Sequence, residues 1–227
     1  MLTAAIVYLC GSGGQFLNRV LALSEKTIPM VKNNDNNINQ PTLQIDAQSR
    51  FELYNCFDPS DWRTSEFSLV YQYRWGRNDF FNYENSRMSF IDSWHPHVFV
   101  SEEDNGLWPY DKWPMVILIE CDHDDIKFLN AQSKNKLYFP NTKAHCHAME
   151  TVKQRYQHKI FKIPFKSFLN QDTFIPYVQQ INKLLDLDLD FVLVEKLYDN
   201  WITQSLCCWN NDVDILPQNI YKNFWEN

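Results

Sequence analysis

Glycine is scarce in this chain, with only five among 227 residues. Three of the five are Gly11, Gly13 and Gly14, so backbone freedom is concentrated in one short stretch. Positive charge is not in excess: 21 Lys and Arg stand against 28 Asp and Glu, a net charge of −7. Nucleic acid is therefore not an expected partner, because affinity for a phosphate backbone needs a basic footprint; a local basic pocket stays compatible. The six cysteines, Cys10, Cys56, Cys121, Cys146, Cys207 and Cys208, contain no CxxC spacing. A chain of this size does not need disulfides to fold, and they are read as reduced. No long apolar run occurs. Residues 2–10 are apolar but too short to cross a bilayer, and no basic segment or small-residue cleavage site accompanies them. The expectation is a cytoplasmic protein without a membrane partner.

What is present suits a folded domain. The hydrophobic share is 44%, enough for a sizeable core, and the length fits one domain over residues 1–227. Aromatic residues are abundant, with 16 Phe, 11 Tyr and 8 Trp, so some rings can line a groove while most fill the core.

Residues 4–9 (AAIVYL) form a continuous apolar run of the kind found in a strand buried on both faces. Over residues 15–25, Phe16, Leu17, Val20, Leu21 and Ser24 recur at helical spacing. Arg19 is expected at the surface or a sheet edge. Residues 32–40 (KNNDNNINQ) read as a polar loop or disordered connection. Residues 51–94 fit neither period cleanly. A short strand is expected at 98–100, and a better one at 116–120 (VILIE), followed by a helix that Asp124 or Asp125 caps and that turns Ile126 and Leu129 or Asn130 to the sheet. Residues 159–165 (KIFKIPF) give a late strand ended by Pro164. Two amphipathic helices follow, one carrying Phe174, Val178, Ile181 and Leu185, the other Phe191, Val194, Leu197 and Trp201. Between them Asp188 or Asp190 caps the second. Trp201 and Trp209 are expected in the core. Strands alternating with helices argue for an α/β fold, a mostly parallel sheet flanked by helices on both faces.

The glycine stretch CGSGGQF falls where the first strand meets the first helix. Free N–H groups point out of a helix start, and glycines let an oxyanion approach the backbone, with Ser12 and Gln15 adding side-chain donors. Gly11, Ser12, Gly13, Gly14, Gln15 and Phe16 are thus candidates for holding a phosphate-like anion. No lysine stands in the turn and the spacing GxxxxGK[ST] is absent, which counts against ATP or GTP hydrolysis. The dinucleotide fingerprint GxGxxG is not met either, since position 16 is Phe. The alternative is that the glycines only close a tight turn.

Three stretches resemble the P-loop-type sulfotransferases, which move a sulfuryl group from the donor PAPS to a hydroxyl or amine. IVYLCGSGGQFLNRVLALSE resembles that family's loop for the 5′-phosphosulfate. HKIFKIPFKSFLNQDTFIPYVQQINKLLDLDL looks like the strand, short loop and paired helices that follow its 3′-phosphate site. WPMVILIECDHDDIKFLNAQSKN aligns with the strand and helix that present an arginine and a serine to the 3′-phosphate, but Glu120, Cys121 and Asp122 stand where a basic residue is expected, and Ser133 lies near the serine. The resemblance covers a little under half of the chain. It implies a P-loop nucleoside-triphosphate-hydrolase-like fold, PAPS as donor and PAP as product, and a small-molecule or glycan acceptor.

A base is needed at the acceptor oxygen, and histidine suits the task because it titrates near neutrality. His95 and His97, in SWHPHVF, are the candidates, with His95 preferred. Donor cations would come from elsewhere, for example Arg74, Arg77 or Arg87. The two histidines could also ligate a metal, as could His145, Cys146 and His147 with the carboxylates and His123 of residues 122–125, yet no HExxH or CxxC accompanies them and no metal is expected. Two other functions stay open: a non-catalytic or glycan-binding descendant of the same fold, which the acidic residues 120–122 favour, and a nucleotide kinase or hydrolase with a degenerate loop.

Overall fold

In the computed structural model of the chain, residues 4–9, 12–27, 30–32, 38–41, 46–55, 91–94, 115–132 and 142–204 are described. Four strands form one parallel sheet in the order β4-β1-β5-β6. Strand β1 (Ala4–Val7) lies inside it, paired with β4 (Ile91–Trp94) on one side and β5 (Met115–Glu120) on the other. Strand β6 (Ile160–Pro164) completes the edge beside β5. Every residue from Val116 to Ile119 is fully buried. Since successive side chains point to opposite faces, both faces of β5 are covered, which is why its sequence is a run rather than an alternation. The α/β character expected from the alternating pattern is present. A separate antiparallel pair, β2 (Met30–Lys32) with β3 (Ile38–Pro41), corrects the reading of residues 32–40 as loop alone: Lys32 and residues 38–40 are strand.

Helix α1 (Gly14–Leu21) begins directly after the glycine turn. Its Phe16, Leu17, Val20 and Leu21 are buried, each contributing about 1.5–3 kcal/mol of transfer free energy. Asn18 and Arg19 are buried too, so the helix is enclosed nearly all round and Arg19 is not the surface residue its sequence position suggests. The helix also stops at Leu21, four residues before its expected end. Past that end sits Arg50, a fully buried side chain on α2 (Ala47–Tyr54), whose guanidinium donates to the carbonyls of Ala22, Ser24 and Thr27 at 3.0, 2.7 and 3.2 Å. These carbonyls lie past Leu21, and the cation supplies donors to them. Helix α2 is capped by Asp46, which accepts from the Ser49 N–H at 2.8 Å.

After β5 come α3 (His123–Gln132) and α4 (Thr142–Arg155), which pack on each other. The cap of α3 is Asp122, not Asp124 or Asp125: its Oδ1 accepts from the N–H groups of Asp124 and Asp125 at 2.9 and 2.7 Å. Asp125 returns the bond, accepting from the Asp122 N–H at 3.0 Å, so two carboxylates three residues apart satisfy each other's backbone donors. Ile126 and Leu129 are buried as expected, with Phe128 beside them.

Strand β6 ends at Pro164 and runs into a 3-10 turn, Phe165–Leu169, then α5 (Gln171–Leu184) and α6 (Phe191–Gln204). Phe174, Val178, Ile181 and Leu185 are buried on the first helix and Val194, Leu197 and Trp201 on the second. Asp190 caps α6, accepting from the Val192 N–H at 2.9 Å, whereas Asp188 is hydrogen-bonded to the Ser24 hydroxyl. Lys26 adds an ion pair to Asp186 at 3.1 Å, fastening the exit of α1 to the α5–α6 connection. Phe16 stacks on Trp201, with ring centroids 4.0 Å apart and planes within 4°, so the first and last described helices share one aromatic cluster. Trp209 and the strand expected at 98–100 lie outside the described residues.

Candidate functional site

The strand order reverses between β1 and β5: the chain leaves β1 to reach β4 on one side and leaves β5 to reach β6 on the other. In open parallel sheets a ligand crevice forms beyond the carboxyl ends of such neighbouring strands. The glycine turn and the acidic residues 120–122 stand at those two ends.

The turn is built by hydrogen bonds to the strand it leaves. Ser12 donates its N–H and its hydroxyl to the Leu9 carbonyl, at 3.0 and 2.6 Å. Gly13 then takes φ +88 and acts as the N-cap of α1, and no side chain caps that helix. An uncapped helix start carries partial positive charge and free N–H donors. The site is enclosed, however. A Cβ on Gly13 would lie 2.9 Å from Cδ1 of Phe168, and one on Gly14 would lie 2.0 Å from Cγ of Tyr8. Ser12 is fully buried and both rings are core residues. The two glycines therefore have a packing role, that of the tight-turn alternative, whatever else they do.

At the end of β5, Cys121 is buried beside the acidic segment, with Ser12 of the turn close enough to act on its thiol. Burial, and then the carboxylates of Asp125 and Asp122, push the Cys121 thiol well above its ordinary range, with Ser12 working the other way, so this cysteine stays a neutral thiol. Burial acts to raise Asp122, but the Asp125 N–H and the Lys166 ammonium hold its carboxyl below the usual value. Lys166 lies 2.9 Å from Asp122 and 3.7 Å from Asp125, and its pairing with Asp122 raises it. Glu120 is paired in the same way, with Lys153 at 2.7 Å and Lys162 at 3.9 Å. The lysine in each of these pairs is held by a carboxylate and is not free to meet a phosphate at this strand end.

Of the residues read as anion ligands, Ser12, Gly13, Gly14 and Phe16 are brought together at the start of α1. Gly11 and the side chain of Gln15 lie outside the described residues, as do His95, His97, Arg74, Arg77, Arg87 and Ser133. Strand β4 ends at Trp94, the residue before His95 in the chain. Sequence reasoning missed Tyr8, Phe168 and Lys166. The crowding of glycines beside a tyrosine signals a close packing contact, but nothing local pairs Gly13 with a ring 155 positions away. The structure also joins two of the segments considered as metal ligands: Cys146 Sγ lies 3.6 Å from His123 Nδ1. Among the described residues no group of three or more His, Cys, Asp and Glu is arranged to hold a metal ion, and no helix is long and apolar enough to cross a membrane. No family model matches the sequence, and no significant match is found among curated proteins or solved structures.

Proposed function

We propose that the protein is a divergent sulfotransferase-type enzyme of P-loop-like fold, which holds the phosphosulfate end of PAPS at the start of α1 and passes the sulfuryl group to a hydroxyl or amine. The observation that carries this reading is the uncapped helix α1, opened by Gly13 at φ +88 at the carboxyl end of an internal parallel strand where the sheet order reverses. The N–H groups following Gly13 would hold the anion, and fixed donors of this kind stabilise charge that develops on the bridging oxygen as the sulfuryl group departs. His95, which follows β4 in the chain, is the base assigned to the acceptor proton, with His97 as its neighbour. Donor entry requires the Phe168 ring to yield its place against Gly13. The carboxyl end of β5 does not fit a 3′-phosphate, because Glu120 and Asp122 occupy it with their lysines, so that group would have to rest on other residues.

A second reading is favoured by the same pairing and by the enclosed glycines: a descendant of the fold that no longer binds the donor and serves as a non-catalytic or glycan-binding protein. Calorimetric titration with PAP separates the two. The enzyme reading expects micromolar binding that competes with PAPS. No heat at millimolar PAP overturns it and leaves the non-catalytic reading. Gly13→Asp and Ser12→Ala both also disturb the turn, the second by removing the hydroxyl bond to the Leu9 carbonyl, so each titration is paired with an unfolding curve of the same variant.

A further inference from the structure

Cys146 and His123 are 23 positions apart in the chain and sit on different helices, Cys146 in the second turn of α4 and His123 as the first residue of α3. The packing of these helices brings Sγ to 3.6 Å from Nδ1. His123 is exposed and Cys146 is partly exposed, so a small molecule can reach the pair. We propose that they form a reactive thiol site that exchanges with low-molecular-weight disulfides, with His123 as the base.

A nucleophilic thiol needs a base within hydrogen-bond reach and access to its reaction partner, and this pair has both. With the ring proton on Nε2, Nδ1 accepts the Cys146 thiol proton. The resulting thiolate attacks one sulfur of the disulfide; that S–S bond breaks, a new one forms to Cys146, and the released thiolate takes the proton held by His123. The incoming disulfide is the oxidant, so each turnover yields one protein mixed disulfide and one free thiol. Among the described residues, the carboxylates on these helix turns that would oppose a thiolate are engaged by lysines: Asp122 with Lys166 at 2.9 Å, Asp124 with Lys127 at 3.6 Å, and Glu150, one turn along α4 from Cys146, with Lys153 at 2.7 Å. Cys121 is the contrast within the same molecule. It is buried and lies beside Asp122 and Asp125, which oppose its ionisation.

The test is the reaction of the reduced, full-length protein with glutathione disulfide, read cysteine by cysteine by peptide mass spectrometry. Cys146 is expected to form the mixed disulfide faster in the folded protein than in the unfolded chain at the same pH, with Cys121 silent when folded. His123→Gln and His123→Asn, both able to hydrogen-bond but not to take the proton, are expected to slow Cys146 about tenfold, since only the thiolate attacks. Equal rates in wild type and either folded variant would overturn the proposal, as would a folded wild-type rate no higher than the unfolded one. That last comparison decides the matter even if both variants fail to fold.

Discussion

Gly14 lies so close to Tyr8 that a Cβ added to it would fall 2.0 Å from Cγ of the ring and 2.2 Å from Cδ1. Tyr8 is fully buried at the end of β1, and its ring is held within the core. The first residue of α1 and the strand it follows are thus in contact through a bare α-carbon.

Gly14→Ala is expected to destabilise the fold more than an ordinary surface substitution in a helix, because the ring of Tyr8 must move through packed neighbours. A cost of about 3 kcal/mol or more follows from overpacking of this kind. Gly13→Ala adds a different strain, the positive φ, worth about 1–2 kcal/mol, together with the Phe168 contact at 2.9 Å. Denaturant midpoints of the two variants measure this. Adding Phe168→Ala should remove the contact part of the Gly13→Ala effect and leave the backbone part, so incomplete rescue is the expected outcome.

Arg50 holds the chain that leaves α1 by charged hydrogen bonds to the carbonyls of Ala22, Ser24, Glu25 and Thr27 and to Thr27 Oγ1 at 3.0 Å. Arg50→Met removes the donors and leaves buried carbonyls without them, and a loss of about 3–5 kcal/mol is expected. Arg50→Lys should recover only part of it, because one ammonium cannot reproduce the planar fork of the guanidinium. Thermal and chemical unfolding would show this; a lysine variant as stable as wild type would contradict the clamp.

Asp122 combines a cap and an ion pair. Asp122→Asn keeps the capping oxygen and loses the charge, so it should cost less than about 1 kcal/mol, the scale of an exposed pair. Asp122→Ala loses both and should cost about 1 kcal/mol more. The pH dependence has a definite sign. The folded carboxyl titrates below its ordinary value of 3.8, so its contribution is complete above about pH 5 and fades as pH falls through the lowered value. Lys166 is raised above 10.5, so its contribution is complete below that value and fades as pH rises through the raised one. Asp122→Asn should flatten both limbs of the stability profile.

The elements legible in the sequence are those whose burial is continuous or strictly periodic. The apolar runs of β1 and β5 and the repeats Phe174, Val178, Ile181 and Val194, Leu197, Trp201 needed only local pattern. Helix α4 and strand β4 were not read, because TKAHCHAMETVKQR is polar on most of its positions and IDSW is short. The end of α1 falls short of Ser24 because the chain turns there, and the Arg50 that bonds the turn carbonyls lies 29 positions beyond Leu21. The cap of α3 falls on Asp122 rather than Asp124 or Asp125 because three aspartates within four positions offer the same capping chemistry, and only backbone geometry shows which carboxylate reaches the free N–H groups.

The sequence by itself determined β1, β5, β6, the glycine-rich connection and the paired helices α5 and α6, since hydrophobic periodicity and glycine placement act within a few residues. Only the tertiary structure decided that β1 lies between β4 and β5, that Phe168 closes over Gly13, that lysines neutralise the acidic end of β5, and that Cys146 meets His123. These are contacts between segments far apart in the chain, selected by how whole elements pack rather than by any local preference.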